Sequence, residues 1–261
     1  VTLPGGPVRA ALFDYGLTLV DFARPVEAIA NAQVAVAALI EAAGHRPPAA
    51  GELRLAVHDR VEAEVAAHES AGGLEEIDVA ALERRAFADL GLQLDEQLLD
   101  ACSRLVQEAW FAGVRPYPET AAVLAALRRG GLRLGVCSNA PYRPTSMHEQ
   151  LRHVGIAALL DAAVFSSEVG WRKPSPRIFT AALDAVGAGA GETVFIGDRL
   201  REDVAGAHAA GMRTVLVARG AGVSQPRVGD GRPDALITSL AELPALLLGD
   251  HPVVAIPGTE N

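Results

Sequence analysis

Six short, unbroken apolar runs leave this chain few architectures. They are "VRAALFD" (8–14), "LRLGVCS" (132–138), "AAVFS" (162–166), "TVFIGD" (193–198), "RTVLVA" (213–218) and "DALIT" (234–238). Each is too short for a helix and lacks the polar alternation of a strand with one wet face. Each therefore reads as a strand covered on both sides. Amphipathic stretches separate the later runs. "PETAAVLAALRRGG" starts with Pro118 and stops at Gly130, a helix with both end signals. "SPRIFTAALDAVG" and "REDVAGAHAAGM" follow the same plan. Strands alternating with helices predict an α/β fold, a Rossmann-like parallel sheet with helices on both faces.

The interval from 22 to 113 has a different texture. It is Ala-rich, helical in period and free of strand-like runs. "PVEAIANAQVAVAALIEAAG", "GELRLAVHDRVEAEVAAHES", "IDVAALERRAFADLG" and "DEQLLDACSRLVQEAW" predict four helices, with breaks at "GHRPPAAG" and "SAGG". The expected organisation is a core of residues 1–21 and 114–248, a helical insert over 22–113 and a loosely held tail, 249–261.

Charge narrows the partners. The 261 residues carry a net charge of −9, which repels nucleic acid and anionic membrane. No apolar run is long enough for a bilayer, and "VTLPGGPVRA" shows no signal-peptide pattern. The two cysteines, Cys102 and Cys137, suggest no disulfide framework. A cytoplasmic monomer or homodimer is expected. Of 23 basic residues only Lys173 is a lysine. A lone lysine in such a background suggests a position where a planar guanidinium does not replace a compact ammonium.

In an open parallel sheet, ligands bind beyond the carboxyl ends of the strands. Here those ends gather polar residues: Asp14 after the first run, Ser138 and Asn139 after the second, and Asp198 after the fourth, followed by Glu202 and Asp203. Lys173 lies in "EVGWRKPSP", after the third. Singly, each has a structural reading as a turn or helix cap. Four sets at four strand ends are harder to explain that way. Two carboxylates from separate strands suit one hard cation such as Mg²⁺. Thr18 and Ser138 can donate to phosphoryl oxygens, and a carboxylate so placed could attack phosphorus.

The order "FDYGLTLVD", "VCSNA", "GWRKPSP" and "FIGDRLREDV" resembles the four motifs of the haloacid dehalogenase superfamily, with a helical cap inserted after the first. The resemblance implies that Asp14 is a nucleophile forming an aspartyl-phosphate. It implies that Thr18, Ser138 and Asn139 contact the transferred group, and that Lys173 steadies Asp14. Mg²⁺ would be held by Asp14, the Gly16 carbonyl and Asp198, with Asp203 as a further ligand or a partner of the ligands. The substrate would be a small phosphorylated metabolite.

The sequence departs from that pattern at Gly16. Phosphatases of the superfamily usually read D-x-D-x-T, and the second Asp shuttles the proton. Here the reading is "DYGLT". Losing general acid–base help removes roughly 10²–10⁴-fold in rate. A cap residue could supply the proton. His58, His68, Glu62 and Glu64 are candidates, although each reads more simply as part of a solvated helix face. Glycine at 16 would also permit a left-handed backbone that Asp adopts only with strain. A phosphatase with an atypical acid ranks first and a catalytically impaired binding or regulatory module second. A 2-haloacid dehalogenase ranks third, because those relatives lack the Asp seen here at 198. For its halide cradle the insert arginines Arg24, Arg46, Arg54 and Arg60 are too many to discriminate. A phosphonate-cleaving relative needs a cap lysine, and 22–113 has none.

Overall fold

The computed structural model describes residue 3, residues 6–219 and residues 231–249. The expected tail beyond Gly249 lies outside the described residues. The strands are β1 (Ala10–Phe13), β2 (Val20–Phe22), β3 (Val114–Pro116), β4 (Arg133–Ser138), β5 (Ala162–Phe165), β6 (Thr193–Gly197), β7 (Arg213–Val217) and β8 (Ala235–Ile237). Six of them form one parallel sheet in the order β5-β4-β1-β6-β7-β8. All six coincide with the unbroken apolar runs. The reason is burial on both faces: Ala11 and Phe13 enter one core and Ala10 and Leu12 the other. Strand order reverses at β1, which pairs with β4 on one side and β6 on the other. The crevice at a topological switch point therefore opens where β1 ends.

Five α-helices separate β2 from β3: α1 (Val26–Ala42), α2 (Ala50–Leu53), α3 (Arg60–Ala71), α4 (Val79–Asp89) and α5 (Glu96–Ala109). The second expected helix is interrupted by a π-helical turn at Arg54–Asp59, between α2 and α3. This insert has its own apolar core, built on Val36, Ile40, Leu53, Phe87 and Leu99. It leaves the sheet region through an antiparallel ribbon, in which Val20 pairs with Pro116 and Phe22 with Val114. Strands of three residues carry no readable periodicity, so the ribbon was not foreseeable from the pattern. The remaining helices are α6 (Thr120–Arg129), α7 (Pro144–His153), α8 (Ser166–Val169), α9 (Pro176–Val186), α10 (Gly206–Ala209) and α11 (Leu243–Leu248). Among the described residues no helix is long and apolar enough to cross a membrane.

The insert docks on the loop before α9. The Arg172 backbone N–H donates to the Leu74 carbonyl at 2.8 Å, and Glu76 N–H to Gly170 at 3.0 Å. The Arg172 guanidinium, 4% exposed along its side chain, reaches Glu76 at 2.9 Å and Glu69 at 2.7 Å.

The solvated-face reading of the second insert helix needs correction. His58 is 6% exposed, and burial lowers its pKa, favouring the neutral ring. Glu62 is largely covered and accepts the Tyr142 hydroxyl at 3.2 Å. The covered face of this helix is wider than its sequence suggests, because Trp110 packs beside His58 and Tyr142 reaches Glu62. Glu64 pairs with Arg60, and His68 bonds the Glu75 carbonyl at 2.8 Å.

A buried carboxyl in the insert yields a stability prediction. Burial pushes Glu83 up from 4.5 to about 7, against the opposing pull of Ser103 and Arg143. Between those values the folded chain holds a proton that the unfolded chain releases. The Glu83 contribution to stability is then most favourable below about 4.5, falls as pH rises to about 7, and is level above. Glu83→Gln should raise unfolding free energy at pH 8 by as much as about 3 kcal/mol. At pH 4.5 it should change little. Urea unfolding at both pH values checks this, and an equal effect at both would refute it.

Candidate active site

Asp14 continues the β1 ladder, its N–H donating to the Ile196 carbonyl at 2.8 Å. This fixes its side chain at the end of the strand, 8% exposed. The Ser138 hydroxyl, at the end of β4, donates to Asp14 Oδ1 at 2.7 Å. Lys173 Nζ donates to the same oxygen at 2.7 Å and to Asp203 Oδ1 at 2.6 Å. Both described side-chain bonds to Asp14 therefore fall on Oδ1. Burial alone would lower the Lys173 pKa; Asp14 and Asp203 outweigh it and hold the ammonium well above the usual range. Asn139 makes no side-chain bond to these carboxylates among the described residues. Its amide clamps the Lys173 backbone instead, accepting the N–H at 2.7 Å and donating to the carbonyl at 3.3 Å.

The turn after β6 completes the cluster. Asp203 Oδ2 accepts the N–H groups of Asp198 at 3.0 Å and Arg199 at 2.9 Å. Gly197 is required for this closure, since a Cβ there would collide with the Asp203 carboxylate. Thr18, fully buried, points its hydroxyl at Asp198 Oδ1, 3.4 Å away. Oxygens of Asp14, Asp198 and Asp203 lie within 4.8 Å of one another. Burial, then the charges of Asp14 and Asp203, push the Asp198 carboxyl up to about 7. Three carboxylates with one ammonium between them form a site short of positive charge. An all-oxygen donor set of this kind suits a hard divalent cation.

The turn after Asp14 corrects one expectation. The left-handed residue is Leu17, at φ 58°, and not Gly16. Leu17 N–H reaches the Val20 carbonyl at 2.7 Å and Leu19 N–H reaches Tyr15 at 2.9 Å, closing a tight turn. What a side chain at 16 would meet is the Phe22 ring, 2.7 Å from an added Cβ.

A cavity of about 400 Å³ lies over these groups. Asp14, Gly16, Ser138, Asn139, Lys173 and Asp203 line its floor. Trp110, Phe111, Met147 and Phe22 supply apolar walls, and the insert contributes Glu69 and Gln107. His58, His68, Glu62 and Glu64 do not line it. The sequence reading missed Glu69, Gln107 and the aromatic pair, because helical period marks them only as insert residues. The two free cysteines are buried, and burial raises their pKa to about 11 for Cys102 and about 12 for Cys137. Neither is a usable nucleophile.

The family model described as haloacid dehalogenase-like hydrolase matches residues 8–211. A glyceraldehyde 3-phosphate phosphatase of Methanopyrus kandleri is 34% identical over 155 residues, covering 59% of this chain and 66% of its own length. A phosphoserine phosphatase of Thermus thermophilus is 38% identical over 144 residues, covering 54% of this chain and 56% of its own. The chain thus spans about half to two thirds of these curated relatives. Among solved structures, a 2-haloacid dehalogenase from Pseudomonas syringae superposes with a TM-score of 0.65 at 25% identity, over 92% of this chain and 98% of that one. A HAD phosphatase from Thermococcus onnurineus gives 0.55 at 24% identity, over 90% and 96%.

Proposed function

The chain belongs to the haloacid dehalogenase-like hydrolases, and from that premise we propose that it is a Mg²⁺-dependent phosphatase of a small phosphorylated metabolite. The observation that carries the reading is the trio Asp14, Asp198 and Asp203 within 4.8 Å of one another, bridged by Lys173. Relatives named as phosphatases for glyceraldehyde 3-phosphate, phosphoserine and phosphoglycolate support it.

Asp14 and Asp198 would hold the metal, with the Gly16 carbonyl; its contribution is to neutralise charge on the phosphoryl oxygens. Asp203 is a positioning residue in this scheme. One of its oxygens holds Lys173 and the other the backbone of 198–199. Lys173 and Ser138 orient Asp14 through Oδ1, which leaves Oδ2 to attack phosphorus. A bond forms from Asp14 oxygen to phosphorus as the ester oxygen leaves with the bonding pair. Water then attacks the aspartyl-phosphate, returning Asp14 and releasing phosphate. Thr18 and Ser138 would reach phosphoryl oxygens only by turning their hydroxyls away from Asp198 and Asp14, which they meet here, while Asn139 fixes the lysine loop. Residues 22–113 act as the cap over the core of 1–21 and 114–248. A cytoplasmic monomer or homodimer belongs to the same proposal.

Purified protein should hydrolyse p-nitrophenyl phosphate with Mg²⁺ and stop when the metal is chelated. A second reading, halide displacement from a 2-haloacid, is favoured by Gly16 and by the dehalogenase neighbour. Halide release that survives chelation would establish it and overturn the phosphatase. Absence of turnover on either class would leave a binding module.

A further inference from the structure

The part of the active-site cavity wall that α5 and α7 supply is polar but uncharged. Ser146 and Gln150 stand one helical turn apart on α7, 2% and 5% exposed. Gln107 faces them from the end of α5, 8% exposed. All three line the cavity. Ser146 Oγ, Gln150 Oε1 and Gln107 Nε2 are buried without a hydrogen-bond partner among the described residues. The Gln107 amide is oriented, because its Oε1 accepts the Arg143 backbone N–H at 3.1 Å. Its Nε2 is therefore the free donor. Buried polar atoms are nearly always satisfied, and three orphans on one wall mark where a partner enters.

The charges around the cavity say what that partner is not. Among the described lining residues the cations are Lys173 and Arg199. Lys173 is shared by Asp14 and Asp203, and Arg199 comes from the turn after β6, where burial lowers its pKa less than the charges of Asp14, Asp198 and Asp203 raise it. Neither α5 nor α7, which carry Gln107, Ser146 and Gln150, brings a cation to the cavity lining to meet a carboxylate on the leaving group. Nor does either helix bring a carboxylate there for an ammonium: Glu69 is held by Arg172 at 2.7 Å, and Glu202 comes from the turn after β6. Trp110 and Phe111 offer ring faces, which suit the C–H surface of a polyol.

Resting on the phosphatase reading, we propose that the leaving group is an uncharged, hydroxylated one, a polyol or sugar. Gln107, Ser146 and Gln150 are the residues that recognise its hydroxyls. A site built to hydrogen-bond hydroxyls discriminates strongly against analogues that lack them, because its own groups are then left unpaired.

The test uses the full chain with Mg²⁺. Glycerol 3-phosphate, n-propyl phosphate and phosphoglycolate compete against p-nitrophenyl phosphate. Glycerol 3-phosphate should inhibit at least about tenfold more tightly than either of the others. Gln107→Glu keeps the Arg143 contact but replaces the donor, and Ser146→Ala removes one oxygen. Each should shrink the glycerol-to-propyl ratio roughly fivefold or more. Equal inhibition by the propyl ester or phosphoglycolate, or an unchanged ratio in the folded variants, overturns the proposal. If Gln107→Glu fails to fold, Ser146→Ala decides. If p-nitrophenyl phosphate is not hydrolysed, the phosphatase reading has failed, and calorimetric titration of the same three esters tests the pocket. A glycerol preference that Ser146→Ala reduces then supports it, and equal affinities overturn it.

Discussion

Lys173→Arg should lower kcat by roughly 10²–10⁴-fold, although it conserves the charge. The ammonium is 2% exposed along its side chain and sits between two carboxylate oxygens, at 2.7 Å from Asp14 and 2.6 Å from Asp203. The Phe195 ring closes the space beneath it, its centroid 5.1 Å from Nζ. A guanidinium is a wide planar fork, and it meets two carboxylates only by spreading them apart. Moving Asp14 tilts the attacking oxygen, and moving Asp203 releases the backbone N–H groups of Asp198 and Arg199. Lys173→Met differs in kind. It keeps the volume but leaves two buried carboxylates without their cation, which typically destabilises by about 3–5 kcal/mol. The arginine variant should therefore fail in turnover more than in folding, and the methionine variant in both. Steady-state kinetics beside urea unfolding separates the two. An arginine variant within tenfold of wild-type kcat would remove the argument from the lone lysine.

The sheet was legible because burial on both faces makes each strand an unbroken apolar run, and no other local structure mimics six of them separated by helices. The strand-end residues were legible for the same reason: Asp14, Ser138 and Asp198 each stand where an apolar run stops. What was not legible depends on contacts between distant segments. Asn139 resembles a ligand-facing residue in sequence and does line the cavity, but its clamp on the Lys173 backbone was not readable there. Asp203 reads as a helix cap or metal ligand, and only the structure gives both of its oxygens to other partners. His58 and Glu62 look solvated until Trp110, from the end of the insert, packs beside the first and Tyr142, from the core, bonds the second. Gln107 lacks any motif. Its orientation is set by one backbone N–H 36 positions away in sequence.

Gly16→Asp should raise the rate on alkyl phosphates by roughly 10²-fold or more, while changing aryl phosphates much less. In the wild type nothing at position 16 can protonate the leaving oxygen, so turnover should fall steeply as leaving-group pKa rises. A carboxyl at 16 supplies that proton and flattens the slope. The obstacle to installing it is steric and local. Gly16 is not the left-handed residue of the turn; Leu17 is. An added Cβ at 16 meets Phe22 Cε2 at 2.7 Å. Phe22 is 41% exposed, and its ring contacts Tyr15 edge-on at a centroid distance of 6.1 Å. The ring has room to turn outward, and Gly16→Asp combined with Phe22→Ala removes the collision altogether. Phe22→Ala alone is the control, because Phe22 also lines the cavity. The double variant should therefore gain on alkyl esters relative to Phe22→Ala, by more than the single variant gains over wild type. Wild-type turnover of alkyl phosphates at ordinary rates of about 1–10³ s⁻¹ would mean that another group already donates the proton. The carboxylates to replace next are then Glu69 and Glu202, which line the cavity, and not the histidines of the insert. If the folded Gly16→Asp variants, single and double, are unchanged on both ester classes, proton transfer does not limit the rate, and glycine at this position has no bearing on which esters are cleaved.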